Sequence, residues 1–420
     1  MTRSAMLWSL TLLVACTPPD SEAQVRAGIE VVLSDSAHLI AGKRLGLLSN
    51  HTGVDRLGHR DVDLLRAAPA APPAPGAPAA QGARLTVLFS PEHGFRGTED
   101  RPGLPDSRDS VTGLPIYSLY GGSRSAARAA LDSIDVLLID LQDIGARYYT
   151  YIATATILMR DAARAGKRVI VLDRPDPVGG LAVQGNVRAR VGDPDSAFVG
   201  FLPIPMRHAM TLGEMARMAN DLMGIGADLV VVPAAGWKRG MLYDQTGLPW
   251  VKPSPNMPDL ESALHYPGLC LFEGTNLSVG RGTNMAFQVV GAPWLNARMV
   301  IDRLDPSALT GVEVTPAVFT PVGPTDGKYA AIELQGVRLH VTDRARYDPT
   351  KLAVALLVAV RATHPTQFEF RAQSFDRLAA GPELRLAIEA GKSAQEVWAP
   401  WSADLDRFRA IRAKYLIGAY

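Results

Sequence analysis

Residues Leu85–Gly97 read LTVLFSPEHGFRG, and their reading decides the fold. The apolar run Leu85–Phe89 predicts a buried strand. It stops at Ser90-Pro91, because proline cannot extend a hydrogen-bonded ladder. Glu92 and His93 follow at once, then Gly94 and Gly97, which let the backbone turn sharply. A strand therefore delivers a carboxylate and an imidazole into a loop at its carboxyl end, where open α/β sheets bind their ligands. Taken singly, such a loop reads more simply as a helix-capping turn with solvated charges.

The pattern recurs, however. Lys43–Asn50 (KRLGLLSN) is an apolar run ending in Asn50, followed by His51, Thr52 and Gly53. Asp135–Asp143 (DVLLIDLQD) predicts a strand ending at Asp140, with Asp143, Gly145 and Arg147 beyond it. Lys167–Asp176 (KRVIVLDRPD) predicts another, ending at Asp173. Runs this continuous in Leu, Ile and Val suit strands buried on both faces of a parallel sheet. Helical spacing separates them, in Ser123–Leu131 and in Tyr151–Ala165, which stops at Gly166. Strand–helix alternation predicts βαβ units. Parallel strands point their carboxyl ends one way, so polar residues at successive ends predict one shared crevice.

The rest of the chain sets bounds. At 420 residues it has room for two or three domains. Its net charge of +1 suggests no nucleic-acid partner. The amino-terminal stretch Met1–Cys16 carries Arg3 and an apolar segment too short to span a bilayer. Leu13-Val14-Ala15-Cys16 is similar to a bacterial lipobox, which predicts lipidation of Cys16 and export. A plain signal peptide cut near Ala23 is the alternative. Cys270, in an apolar run, is expected to be a buried structural thiol. Ala67–Ala83 is Pro/Ala-rich and reads as an inserted loop. P-loop, HExxH, CxxC and GxSxG patterns are missing, and Gly224-Ile225-Gly226 precedes a strand and lacks the third glycine of a dinucleotide fingerprint. No cofactor or metal is expected.

Thr211–Met223 predicts a helix with Thr211 and Glu214 as a capping box, and Gly226–Pro233 a further strand. A second polar stretch follows. After an apolar run come Glu273, Asn276, Arg281, Thr283 and Asn284, set among glycines. A polar turn joining two strands accounts for these residue types, but Glu, Asn and Arg in such a loop also suit sugar hydroxyls and a carboxylate. Residues 291–420 mix strand and helix signals, and Trp398, Trp401 and Phe408 there are expected in the core. The predicted layout is a leader (1–23), a Rossmann-like α/β domain (24–290) and a smaller α+β domain (291–420).

The motifs SPEHGFRG (Ser90–Gly97), SLYG (Ser118–Gly121), DLQDIGARYYTY (Asp140–Tyr151), DRPDPVGG (Asp173–Gly180), PMRHAMTLGE (Pro205–Glu214), PSPNMP (Pro253–Pro258) and FEGTNLSVGRGT (Phe272–Thr283) occur in this order. Together they resemble the NamZ family of bacterial exo-β-N-acetylmuramidases across the whole chain beyond the leader. The resemblance implies a Rossmann-like domain, a smaller carboxyl-terminal domain and an active site in the cleft between them. It implies release of terminal β-linked N-acetylmuramic acid (MurNAc) from peptidoglycan-derived saccharides, with Glu92 as the catalytic carboxylate and no metal or nucleotide.

Glycoside hydrolysis needs an acid for the leaving oxygen and a second group for water or the oxocarbenium-like transition state. Glu92 suits the acid. His93 would orient it or carry a proton, unless its role is structural. Asp140, Asp143 and Glu273 are candidates for the second group. The lactyl carboxylate of muramic acid calls for a bidentate cation, and Arg147 and Arg281 are the first choices, then Arg96. Tyr149 is a candidate for stacking on a sugar face, and Asn50, Asp173, Asn276, Thr283 and Asn284 for sugar hydroxyls. The rival reading is a peptidoglycan-binding lipoprotein without turnover.

Overall fold

The structure, a computed structural model, describes residues 24–67, 82–97, 99 and 103–420. Cys16 and the leader lie outside the described residues, as does most of the Pro/Ala-rich stretch.

The expected strands form as β1 (Arg44–Ser49), β2 (Arg84–Ser90), β5 (Val136–Asp140) and β6 (Arg168–Leu172), and two short strands not expected from the sequence, β3 (Ser107–Arg108) and β4 (Pro115–Ser118), join them. Then β7 (Gln184–Val187) and β8 (Pro205–Arg207) make a separate antiparallel ribbon, and β9 (Leu229–Val232) returns to the main sheet. The main sheet has the order β3-β4-β2-β1-β5-β6-β9, parallel throughout except for the short β3. The chain starts in the middle at β1, winds outward to β4, then crosses back to β5 on the other side of β1. This is the Rossmann-like winding, with its switch point between β1 and β5, where Ser49 pairs with Asp140.

Alternation along each strand explains why the apolar runs are continuous. Leu137, Ile139, Val169 and Val171 face one layer, with helices Tyr151–Arg164 and Leu212–Leu222. Val136, Leu138, Ile170 and Leu172 face the other, with helices Gly28–Leu33 and Asp61–Ala67. The Thr211–Glu214 capping box closes as expected, each side chain bonding to the other's backbone N–H.

The carboxyl-terminal part is the expected smaller α+β unit. β10 (Val289–Ala292), β11 (Val312–Phe319) and β12 (Leu334–Val341) form an antiparallel sheet in the order β10-β12-β11. Helices Leu260–Leu269 and Pro349–Thr363 pack together, and four more helices follow, from Ala372 to Arg412. Phe408 is buried, and Trp398 and Trp401 pack half-buried against the core. The apolar run before Glu273 is the end of a helix rather than a strand, since periodicity does not separate the two in a short buried run. One hydrophobic core runs through both parts. The chain end ties them further, because the Tyr420 hydroxyl donates to Asp173 Oδ2 at 2.7 Å.

Candidate active site

The loop after β2 is held from below. His93 adopts φ +68°, a left-handed conformation that costs a non-glycine residue about 1–2 kcal/mol. Its Nδ1 lies 2.8 Å from the Glu99 carbonyl, which fixes the ring. Gly97 has φ +70°, and a Cβ there would lie 1.8 Å from His51 Nδ1, so only glycine fits. His51 in turn holds the Lys252 carbonyl at 2.6 Å, and burial pulls its pKa down. The result is a rigid turn with the half-buried Glu92 on its cavity side.

Glu92 meets the segment after β5. The Thr150 hydroxyl donates to Glu92 Oε2 at 2.6 Å. Thr150 stands at the N-cap of helix Tyr151–Arg164 but makes no side-chain cap bond. Its hydroxyl serves the carboxylate, and Glu92 Oε1 keeps no hydrogen-bond partner among the described residues.

Aromatic rings form much of the wall. Tyr149 packs edge-on to Tyr151 at 4.7 Å and Tyr266 edge-on to Phe287 at the same distance. The Tyr151 hydroxyl donates to the Pro253 carbonyl at 2.6 Å and accepts from Asn50 Nδ2 at 2.8 Å. The Tyr149 hydroxyl is buried and has no hydrogen-bond partner among the described residues, an unmet polar demand that a ligand or water would satisfy.

The carboxyl-terminal half supplies the remaining wall. Glu273 sits on the tight turn Cys270–Gly274 that follows helix Leu260–Leu269. The Lys328 ammonium secures this turn by donating to the carbonyls of Phe272, Glu273 and Leu277. Burial pulls the Lys328 pKa down to about 8. Arg281 Nε donates to Glu273 Oε1 at 2.7 Å, Nη2 reaches the same oxygen, and the guanidinium lies 5.6 Å above the Phe287 ring. Helix Ala372–Ala379 adds Ser374, Arg377 and Leu378. Together these groups enclose a cavity of about 230 Å³. That is below the usual range of ligand clefts, ~300–1,000 Å³, and suits one terminal sugar better than a long chain.

Of the residues singled out in the sequence, Glu92, His93, Tyr149, Glu273 and Arg281 line this cavity. The others do not. Arg147 is fully buried, and its guanidinium donates to the carbonyls of Asn186 (2.7 Å) and Leu378 (2.9 Å) and to Asn186 Oδ1 (3.1 Å). It does not line the cavity and instead bolts helix Ala372–Ala379 to the Rossmann-like part. Asp140 is buried in an ion pair with Arg174. Asp143 accepts from Gly145 N at 2.8 Å and lies 3.5 Å from His208 Nε2. Asp173 takes three donors, Thr211 Oγ1, Gly213 N and Tyr420 Oη. Asn50 is spent on bracing Tyr151 and on Thr52.

Arg96 points to the other side of the β2 loop and pairs with Asp109 at 2.7 Å. Asn276 ties down the backbone of Gln367 and Glu369, Thr283 closes its own turn, and Asn284 is exposed outside the cavity lining. In every corrected case but Asn284, a local backbone or charge requirement absorbs the side chain. Cys270 is buried as expected, although its residue also borders the cavity. Thr150, Tyr266, Ser374 and Arg377 are lining residues that sequence reading missed; only Thr150, inside the RYYTY run, carried a usable signal.

The family model described as "Exo-beta-N-acetylmuramidase NamZ, N-terminal" matches residues 45–261, and its C-terminal counterpart matches residues 264–417. The chain belongs to the NamZ family. Peptidoglycan beta-N-acetylmuramidase NamZ of Bacillus subtilis (strain 168) is 39% identical over 416 residues, which cover 97% of this chain and 96% of that protein. Two crystal structures of DUF1343 family proteins from Bacteroides fragilis NCTC 9343 are similar in fold, each covering 94% of this chain and 99% of the other. Their TM-scores are 0.82 and 0.72, at 35% and 32% identity. In this NamZ family chain the two matched segments meet in helix Leu260–Leu269. The first brings Glu92 and the tyrosines to the cavity, and the second brings Glu273, Arg281 and Arg377, so the cavity lies between them.

Proposed function

We propose that this protein is an exo-β-N-acetylmuramidase that removes terminal MurNAc from the non-reducing end of peptidoglycan fragments, as the name of its Bacillus subtilis relative states for peptidoglycan. The observation that carries the reading is the carboxylate pair. Glu92 and Glu273 come from different halves of the chain, and no other carboxylate lines the cavity among the described residues. Glu92 is the general acid. The Thr150 hydroxyl occupies Oε2, so the proton for the glycosidic oxygen sits on Oε1. Glu273, fixed by Arg281, provides the second negative charge for the oxocarbenium-like transition state. His93 orients the Glu92 loop through its bond to Glu99.

The deciding experiment incubates the purified protein with an aryl β-MurNAc and its β-GlcNAc counterpart. Release of the aryl group from the first alone supports the reading. Binding of MurNAc saccharides without turnover would favour a non-catalytic peptidoglycan-binding protein. Met1–Cys16 supports export and anchoring through a lipid on Cys16 at the periplasmic side. Cys16→Ser is expected to abolish lipid labelling, and a soluble wild-type protein beginning near residue 24 would exclude the anchor.

A further inference from the structure

MurNAc differs from N-acetylglucosamine only by the lactyl ether, which ends in a carboxylate. A site selective for it in water needs a cation whose charge is not already matched within the protein. Among the described residues two arginines line the cavity, Arg281 and Arg377. The first is committed, since Glu273 holds its Nε and Nη2, Thr325 accepts from Nη1 at 3.3 Å, and Phe287 lies beneath it.

Arg377 stands differently. It makes no hydrogen bond or ion pair with any described residue and is exposed at the cavity rim. The acid beside it in sequence does not match its charge, because Asp376 is held at two points by Arg385, at 2.9 and 2.8 Å. Arg377 shares a helical face with Ser374, one turn earlier, and Leu378. That face is fixed against the Rossmann-like part. Arg147 donates to the Leu378 carbonyl and Asn186 Nδ2 to the Ala379 carbonyl at 2.6 Å. An unmatched guanidinium fork is thus presented to the cavity on a braced helix, with a hydroxyl beside it.

Resting on the function proposed above, we infer that Arg377 is the specificity residue of this site. It pairs with the free lactyl carboxylate of terminal MurNAc, and Ser374 donates a supporting hydrogen bond. Arg147 braces the same helix through the Leu378 carbonyl and serves its stability. The site thereby takes a 3-O-carboxyalkyl amino sugar with an ionised carboxylate and gains nothing from a neutral substituent at that position.

The test compares the wild-type protein, Arg377→Ala and Arg377→Lys on three aryl glycosides: β-MurNAc, β-MurNAc with its lactyl carboxyl converted to a carboxamide, and β-GlcNAc. On β-MurNAc, Arg377→Ala is expected to lose roughly 30- to 150-fold in kcat/KM, mostly through KM, the worth of one charge-assisted contact. Arg377→Lys should recover part of that loss, because it restores charge without the planar fork. On the carboxamide the wild type and Arg377→Ala should be equal. A wild-type kcat/KM for Arg377→Ala on β-MurNAc, or an equal loss on the carboxamide, would overturn the assignment. A wild-type protein that releases no MurNAc at all would instead overturn the activity.

Discussion

The Thr150 hydroxyl lies 2.6 Å from Glu92 Oε2, although Thr150 occupies the N-cap of helix Tyr151–Arg164, where a threonine ordinarily bonds the helix's own backbone. The local stabilisation of a cap, about 1 kcal/mol, is forgone so that one carboxylate oxygen is fixed. Thr150→Val should therefore leave thermal stability within about 1 kcal/mol of wild type, since no cap bond is lost. It should lower kcat by about tenfold, more on a sugar leaving group than on an aryl one. A large fall in Tm with unchanged kcat would show that the hydroxyl serves the helix.

Glu92→Gln keeps the shape of the side chain and removes its transferable proton. Expected is a kcat lower by roughly 10²–10⁴ with KM nearly unchanged, the usual worth of general acid catalysis. The loss should shrink for leaving groups that need little protonation. Near wild-type kcat on natural muropeptides would pass the acid role to Glu273, the remaining carboxylate in the lining among the described residues.

Arg147 is a stability residue, not a lactyl receptor. Truncating it to alanine leaves the carbonyls of Asn186 and Leu378 short of a donor in a fully buried site. A loss of roughly 3–5 kcal/mol in denaturant unfolding is expected. The ratio of kcat/KM on β-MurNAc to that on β-GlcNAc should remain that of wild type, because the charge of Arg377 is intact. A collapsed ratio with normal stability would return Arg147 to the site.

Stability should depend on pH through Asp173 and Asp176. Burial is the main cause that pushes both carboxyls up to about 7. For Asp176, neighbouring Asp143 adds to the rise, while His208, Arg207 and the Val178 N–H oppose it. Between about pH 4 and 7 the unfolded chain has released these protons and the folded chain has not. Each group's stabilising effect is thus complete below about pH 4 and falls by about 1.4 kcal/mol per pH unit up to about pH 7. Asp176→Asn carries no such proton and keeps the Oδ1 acceptor for Val178 N, so its urea unfolding curve should vary less across that range. An unchanged slope would mean that Asp176 titrates alike in both states.

The sequence by itself determined the doubly wound sheet. The apolar runs ending at Ser49, Ser90, Asp140 and Leu172 are buried on both faces, and such burial is written in composition and run length. It also determined that Glu92 stands in a turn at a strand's carboxyl end, since proline and glycine force the chain to turn there. The tertiary structure decided which of the other polar strand ends face ligand. Asp140 and Asp173 sit at the same sheet edge as Glu92, but Arg174, Thr211, Gly213 and Tyr420 enclose them, so their oxygens answer the protein's own donors. The same holds for the arginines. Arg147 lies beside the acidic loops in sequence yet points into the seam between the halves, while Arg377 reaches the cavity only because a carboxyl-terminal helix folds back onto it. Local sequence fixes which residues leave a strand, but whether a charge meets substrate or a buried partner depends on contacts made far along the chain.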